Sequence, residues 1–147
     1  MIGSIPYRKL SPEAIPPSYG TASAAGADLH VLTEDPIEIR PGETVLLHTG
    51  IALALPEGFV GLVFARSGLA TKRDLAPANK VGVIDSDYRG ELMVPLHNHG
   101  KETQTVLPGE RIAQLAVIPY LTATFTEVES LTETERGEGG FGSTGRT

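Results

Sequence analysis

The chain contains no cysteine. That excludes a disulfide scaffold, a thiolate nucleophile and a Cys-ligated zinc site. It also lacks an excess of positive charge: 12 Lys and Arg stand against 18 Asp and Glu, a formal net charge of −6. Sequence-independent binding to nucleic acid rests on clustered cations facing phosphates, so no nucleic-acid partner is expected. Phosphate chemistry here must come from a few local arginines or a metal, acting against the overall field. Long apolar runs are missing as well. The stretch Thr44 to Pro56 is 13 residues long and includes Thr, His and Gly, whereas a spanning helix needs about 20 mostly apolar residues. The opening residues carry Pro6 and charges at Arg8, Lys9 and Glu13, unlike the apolar region of a secretion signal. The expectation is a cytoplasmic protein with no membrane partner.

No window sustains a helical period beyond two turns, and there is no internal repeat or Pro- or Ser-rich linker. What is abundant is turn chemistry, with 17 Gly and 11 Pro. Turn signals fall at Pro41-Gly42, Thr49-Gly50, Glu57-Gly58, Ser67-Gly68, Pro77-Ala78-Asn79, Arg89-Gly90, His99-Gly100 and Pro108-Gly109. Intervals of about 8 to 12 residues are the rhythm of many short antiparallel strands. Between them lie β-rich runs at 44–47, 59–64, 92–96 and 112–118, and 36–40 alternates strictly. The one short helix expected is Ser67 to Arg73. These features predict a single all-β domain, a jelly-roll sandwich, in a chain of 147 residues. The Gly-rich tail differs: five glycines in the last 11 residues leave too little apolar material to fold alone. The predicted organisation is a domain over 1–135 and a flexible arm over 136–147.

Several short segments have the composition of a phosphate or acid–base site. Gly137 to Thr144 exposes backbone N–H groups as an anion nest, with hydroxyls at Ser143 and Thr144, guanidinium groups at Arg136 and Arg146, and a stacking ring at Phe141. Ser143 stands where a Walker A loop has its lysine, so the segment is not that motif. A frayed terminus fits the same tail. Arg66-Ser67-Gly68-Leu69 sits where a strand run meets the helix; it reads as an anion site or as an ordinary Ser N-cap. In Gly82 to Glu91, Asp85 and Asp87 share a face if the segment is extended, and one of them could hold and deprotonate a water. A polar hairpin tip accounts for the same residues. Ala25 to Leu29 places Asp28 at a strand start, and Gly109 to Leu115 leads into a strand carrying Gln114. His97-Asn98-His99 has no third ligand at convincing spacing for zinc.

Taken in order, AGADL at 25–29, RSGL at 66–69, GVIDSDYRG at 82–90, GERIAQL at 109–115 and RGEGGFGSTG at 136–145 resemble the five motifs of the homotrimeric dUTPase family. The resemblance spans essentially the whole chain, and Ala65 is a small departure where many members carry Pro. It implies hydrolysis of dUTP to dUMP and pyrophosphate with Mg²⁺, lowering dUTP and supplying dUMP for thymidylate synthesis. It also implies a homotrimer with active sites shared between subunits. By position, Asp85 matches the carboxylate that activates the attacking water at the α-phosphorus. Tyr88 matches the ring against the deoxyribose that leaves no room for a 2′-hydroxyl. Asn79, Val83 and Ile84 match a uracil-reading hairpin, and Met93 a substrate contact. Asp28 matches a residue supporting the Mg²⁺ shell through water, while Arg66, Ser67, Gly68 and Gln114 match the phosphate-binding set. In the arm, Arg136 matches a γ-phosphate contact, Phe141 the ring over uracil, and Gly142, Ser143 and Thr144 the phosphate nest. The dCTP deaminases share the fold but lack the GFGSTG tail and this IDSDYRG run.

Overall fold

The structure is a computed structural model in which residues 3–140 are described. Eleven strands and one helix appear among them: β1 (Tyr7–Lys9), β2 (Ser18–Tyr19), β3 (Ala27–His30), β4 (Ile37–Ile39), β5 (Thr44–Leu53), β6 (Phe59–Phe64), α1 (Ser67–Lys72), β7 (Leu75–Pro77), β8 (Gly82–Ile84), β9 (Glu91–Asn98), β10 (Gln104–Val106) and β11 (Arg111–Pro119). All pairings are antiparallel, in a four-stranded sheet ordered β1-β5-β9-β7, a five-stranded sheet ordered β2-β3-β11-β6-β8, and the pair β10-β4. This is the expected jelly roll with one short helix.

Alternation decides which side chains form the core. In β9, Leu92, Val94 and Leu96 are almost fully buried while Met93 is exposed. Leu47 and Ile51 of β5 meet them from the same sheet, and Leu29, Ile112 and Leu115 meet them from the other. Asn98 is fully buried yet satisfied: its Nδ2 donates to the carbonyls of Ile39 and Glu102, and its Oδ1 accepts from Gly100 N–H. The histidines flanking it stack edge to face at 4.4 Å.

Two local expectations are corrected. Thr49-Gly50 is not a chain turn, because β5 runs straight through it with a register break between His48 and Ala52. Gly50 has φ +67, and a Cβ there would lie 2.7 Å from Leu32 Cδ2 and 2.8 Å from Ala14 Cβ. A bulge and a turn both call for glycine at positive φ, which is why the signal misled. Second, Asn79 and Val83 do not belong to a hairpin within one sheet. β7 lies in the four-stranded sheet and β8 in the five-stranded one, so the turn at 78–81 crosses between them.

The last strand ends at Pro119, and residues 120–135 carry no strand. Leu121 and Phe125 are each 97% exposed.

Candidate active site

The chain's return from β8 to β9 borders a cleft on the outer side of β9, away from the core. It has a volume of about 220 Å³ and is lined by Leu46, Val83, Ile84, Asp85, Tyr88, Glu91 and Met93. Met93 reaches it because β9 alternation turns that residue outward, opposite His48 of β5. Asp85 follows directly on β8, while Ser86 and Asp87 form a turn; the segment is therefore not extended, and the two carboxylates do not sit on a common strand face. Asp85 and Asp87 both line an adjoining open cleft with Glu57 and Arg89. Asn79 packs beside this wall: a Cβ at Gly82 would stand 3.4 Å from its Nδ2.

Tyr88 is held from two sides. Its hydroxyl donates to the carbonyl of Glu91 at 2.9 Å. Its ring lies over Gly90, where a Cβ would come within 2.6 Å of Cζ. Glu91, a residue singled out by no motif reading, has its carboxylate half-buried beside the ring. Burial raises its pKa, but hydrogen bonds from His48 and from the Gly50 N–H, with the His48 charge, outweigh this and hold it below the ordinary glutamate range.

A second cluster forms where one row of the five-stranded sheet pairs Asp28, Gln114 and Phe64 across β3, β11 and β6. Just beyond Phe64, the chain leaves β6 into α1. Arg66 Nε donates to Asp28 Oδ1 at 2.8 Å, and Arg111 donates to Oδ2 at 3.2 Å. The Gln114 amide donates to the Ala65 carbonyl at 2.9 Å. Three segments distant in sequence thus meet around one carboxylate. Arg66, with extended φ −85 and ψ 130, is the residue capping α1, so Ser67 is its first helical residue and not its N-cap. Ser67 and Gly68 are exposed. His30, on the same strand as Asp28, has a buried Nδ1 without a hydrogen-bond partner among the described residues. Burial lowers its pKa, opposed by Asp28 and reinforced by Arg111 and Arg66.

The two clusters do not share a cleft: Asp28, Arg66 and Gln114 are absent from the lining around Tyr88. Arg136 is exposed, and its Nε donates to Gly139 O at 2.9 Å. Phe141, Gly142, Ser143 and Thr144 lie outside the described residues. Among those described, no group of three His, Asp or Glu side chains could hold a metal ion. No described helix is long and apolar enough to cross a membrane.

This arrangement can be set beside known proteins. The dUTPase family model matches residues 13–145. The deoxyuridine 5'-triphosphate nucleotidohydrolase of Acinetobacter baumannii is 50% identical over 131 residues, covering 88% of this chain and 87% of that protein. The enzyme of the same name from Aeromonas salmonicida is 47% identical over 131 residues, covering 88% and 86%. A point mutant of the Staphylococcus bacteriophage 80alpha dUTPase, solved with dUpNHpp, superimposes with a TM-score of 0.89 at 28% identity, covering 98% of this chain and 99% of that one. A mutant dUTPase from phage phi11 of S. aureus, described for its coordination of a structural Mg(II) ion, aligns with a TM-score of 0.79 at 25% identity, covering 87% and 98%. By the family model and by its identity to these relatives, the chain belongs to the dUTPase family.

Proposed function

We propose that the protein hydrolyses dUTP to dUMP and pyrophosphate by attack of water at the α-phosphorus. The observation that carries this reading is the single cleft in which Val83, Ile84, Asp85, Tyr88 and Met93 converge. An apolar wall, one aromatic ring and the carboxylate of Asp85, with that of Glu91 already bonded to His48 and Gly50, suit a deoxynucleoside presented next to a reacting phosphate. In this reading Val83, Ile84 and Asn79 read uracil, chiefly through the backbone, and Met93 borders the nucleoside. Tyr88 lies against the deoxyribose, where its ring excludes a 2′-hydroxyl.

Asp85 accepts a hydrogen bond from the attacking water and takes its proton as the oxygen bonds to the α-phosphorus. The bond from that phosphorus to the bridging oxygen breaks, and pyrophosphate departs with the electron pair. A triphosphate brings more negative charge to an acidic chain, so cations must offset it. Arg66 and Arg136 supply guanidinium forks, and Ser67, Gly68 and Gln114 complete the phosphate set. Phe141, Gly142, Ser143 and Thr144 would close over the nucleotide from the arm.

Mg²⁺ fits this donor set. It keeps several waters and binds through one or two carboxylates plus substrate phosphates, and Asp28 offers one carboxylate anchored by Arg66 and Arg111. When bound, the ion would neutralise charge on the phosphates, with Asp28 holding one of its waters. A homotrimer with shared sites accounts for the separation of the Asp28 cluster from the Tyr88 cleft. It also gives the exposed apolar residues from Leu121 to Leu131 a surface to meet. Operation in the cytoplasm accords with the absence of cysteine.

Pyrophosphate release by the purified protein with Mg²⁺, compared across dUTP, dCTP, dTTP and UTP, tests the reading. Rapid release from dUTP alone is expected. Equal rates on the four nucleotides, or none on dUTP, would overturn it.

A further inference from the structure

The bulge in β5 sits beside the Tyr88 cleft, and one side chain closes it. Between His48 and Ala52 the β5–β9 ladder loses its register, which leaves the Gly50 N–H without a strand partner. Glu91 Oε1 accepts that N–H at 2.7 Å, and Glu91 Oε2 meets His48 Nδ1 at 2.8 Å. Thr49, buried at 1% exposure, completes the closure by donating its hydroxyl to the Leu92 carbonyl at 2.6 Å. The first residue of β9 is thereby fixed to the bulge by its own carboxylate. Its carbonyl is the group that receives the Tyr88 hydroxyl. Bulges are over-represented next to functional sites, and this one is bridged by the residue whose carbonyl accepts from a ring of the cleft.

We propose that Glu91 is a positioning residue for sugar discrimination: by bridging the β5 bulge it holds the acceptor that orients Tyr88. This rests on the reading of Tyr88 as the ring against the deoxyribose. Glu91 need not touch substrate to act this way. A short side chain would not replace its carboxylate, because the Gly50 N–H and His48 would lose the group that bridges them to the start of β9. A glutamine keeps an acceptor for Gly50 and an amide that can donate to His48, so it should serve nearly as well.

The test is the ratio of kcat/KM for dUTP over UTP in wild type, Glu91→Ala, Glu91→Gln, Tyr88→Phe and the double variant Glu91→Ala with Tyr88→Phe. Glu91→Ala should lower the ratio by about tenfold, the loss of one oriented hydrogen bond. Glu91→Gln should retain it. Tyr88→Phe lacks the hydroxyl, so adding Glu91→Ala to it should change the ratio little more. Spectra of ¹³C-tyrosine-labelled protein give a readout independent of turnover: the Tyr88 signal should move in Glu91→Ala and stay in Glu91→Gln. A full additional loss in the double variant, an unmoved Tyr88 signal in Glu91→Ala, or equal behaviour of the Ala and Gln variants would overturn the proposal. If the Tyr88 signal moves as expected but the ratio does not, Glu91 orients a ring that plays no part in discrimination, and the sugar-contact reading fails instead.

Discussion

Gln114 occupies the space that a side chain on Gly26 would need: its Oε1 lies 2.6 Å from the position of a Cβ there. The two belong to different motifs, brought together by the pairing of β3 with β11. Because the clashing atom is the end of a flexible side chain, the fold can give way locally. What it cannot keep is the bond from the Gln114 amide to Ala65 O, next to Arg66.

Gly26→Ala should therefore lower dUTP turnover as well as stability. An overpacked site costs about 1 to 3 kcal/mol, and misplacing a residue of the proposed phosphate set can cost on the order of 10²-fold in rate. Thermal melting and kcat/KM on the same preparation check this. A large drop in melting temperature with normal turnover would assign Gly26 to packing alone.

Gly90→Ala acts on the opposite cluster. The new methyl would press on Tyr88 Cζ at 2.6 Å and Cε2 at 2.9 Å. The ring must swing away and break its bond to Glu91 O. The expected outcome is a narrowed preference for dUTP over UTP, in the same direction as Tyr88→Ala. Competition with UTP measures it, and an unchanged preference in both variants removes Tyr88 from the sugar contact.

Glu91 also sets a pH dependence of stability. Its folded pKa is depressed below the unfolded value of 4.5, so its contribution is present above that pH and is lost as pH falls through the folded value. Wild type should lose melting temperature more steeply than Glu91→Gln in this acid range. Parallel curves for the two proteins would show that the carboxylate is not coupled to folding.

Removing residues 136–147 should leave a folded protein with severely reduced turnover. The core closes with β11, which ends at Pro119, and Arg136 is exposed. Ordering an arm costs roughly 1 to 2 kcal/mol per residue of backbone entropy. Charged hydrogen bonds to phosphate and stacking of about 1 to 3 kcal/mol per base must offset that cost. Near-normal turnover of the truncated chain would make the arm irrelevant to catalysis.

Much of this architecture is legible in the chain itself. The β-rich run at 92–96 marks the strand, but every residue in it is apolar, so only the structure shows that Leu92, Val94 and Leu96 face the core and Met93 the cleft. The five motif segments name Asp28, Arg66, Asp85, Tyr88 and Gln114 as candidates; the structure gathers the segments of Asp28, Arg66 and Gln114 in one cluster and Asp85 with Tyr88 in one cleft. Glycine signals are where reading stops short. Gly50 announces a positive φ, but only the partner strand shows that the chain continues through it. Glu91 stays hidden for the same reason, since a carboxylate that bridges a bulge has no spacing signature of its own. The crossing of 78–81 between sheets is likewise set by pairings far apart in sequence, β7 with β9 and β8 with β6.

The central claim is that water, activated by Asp85, attacks the α-phosphorus of dUTP. Hydrolysis in ¹⁸O-water with Mg²⁺, using wild type and Asp85→Asn, tests it directly. The result expected is label in dUMP, none in pyrophosphate, and turnover of the variant reduced by about 10² to 10⁴-fold with nucleotide binding intact. Label in pyrophosphate, or a variant turning over within about tenfold of wild type, would contradict it.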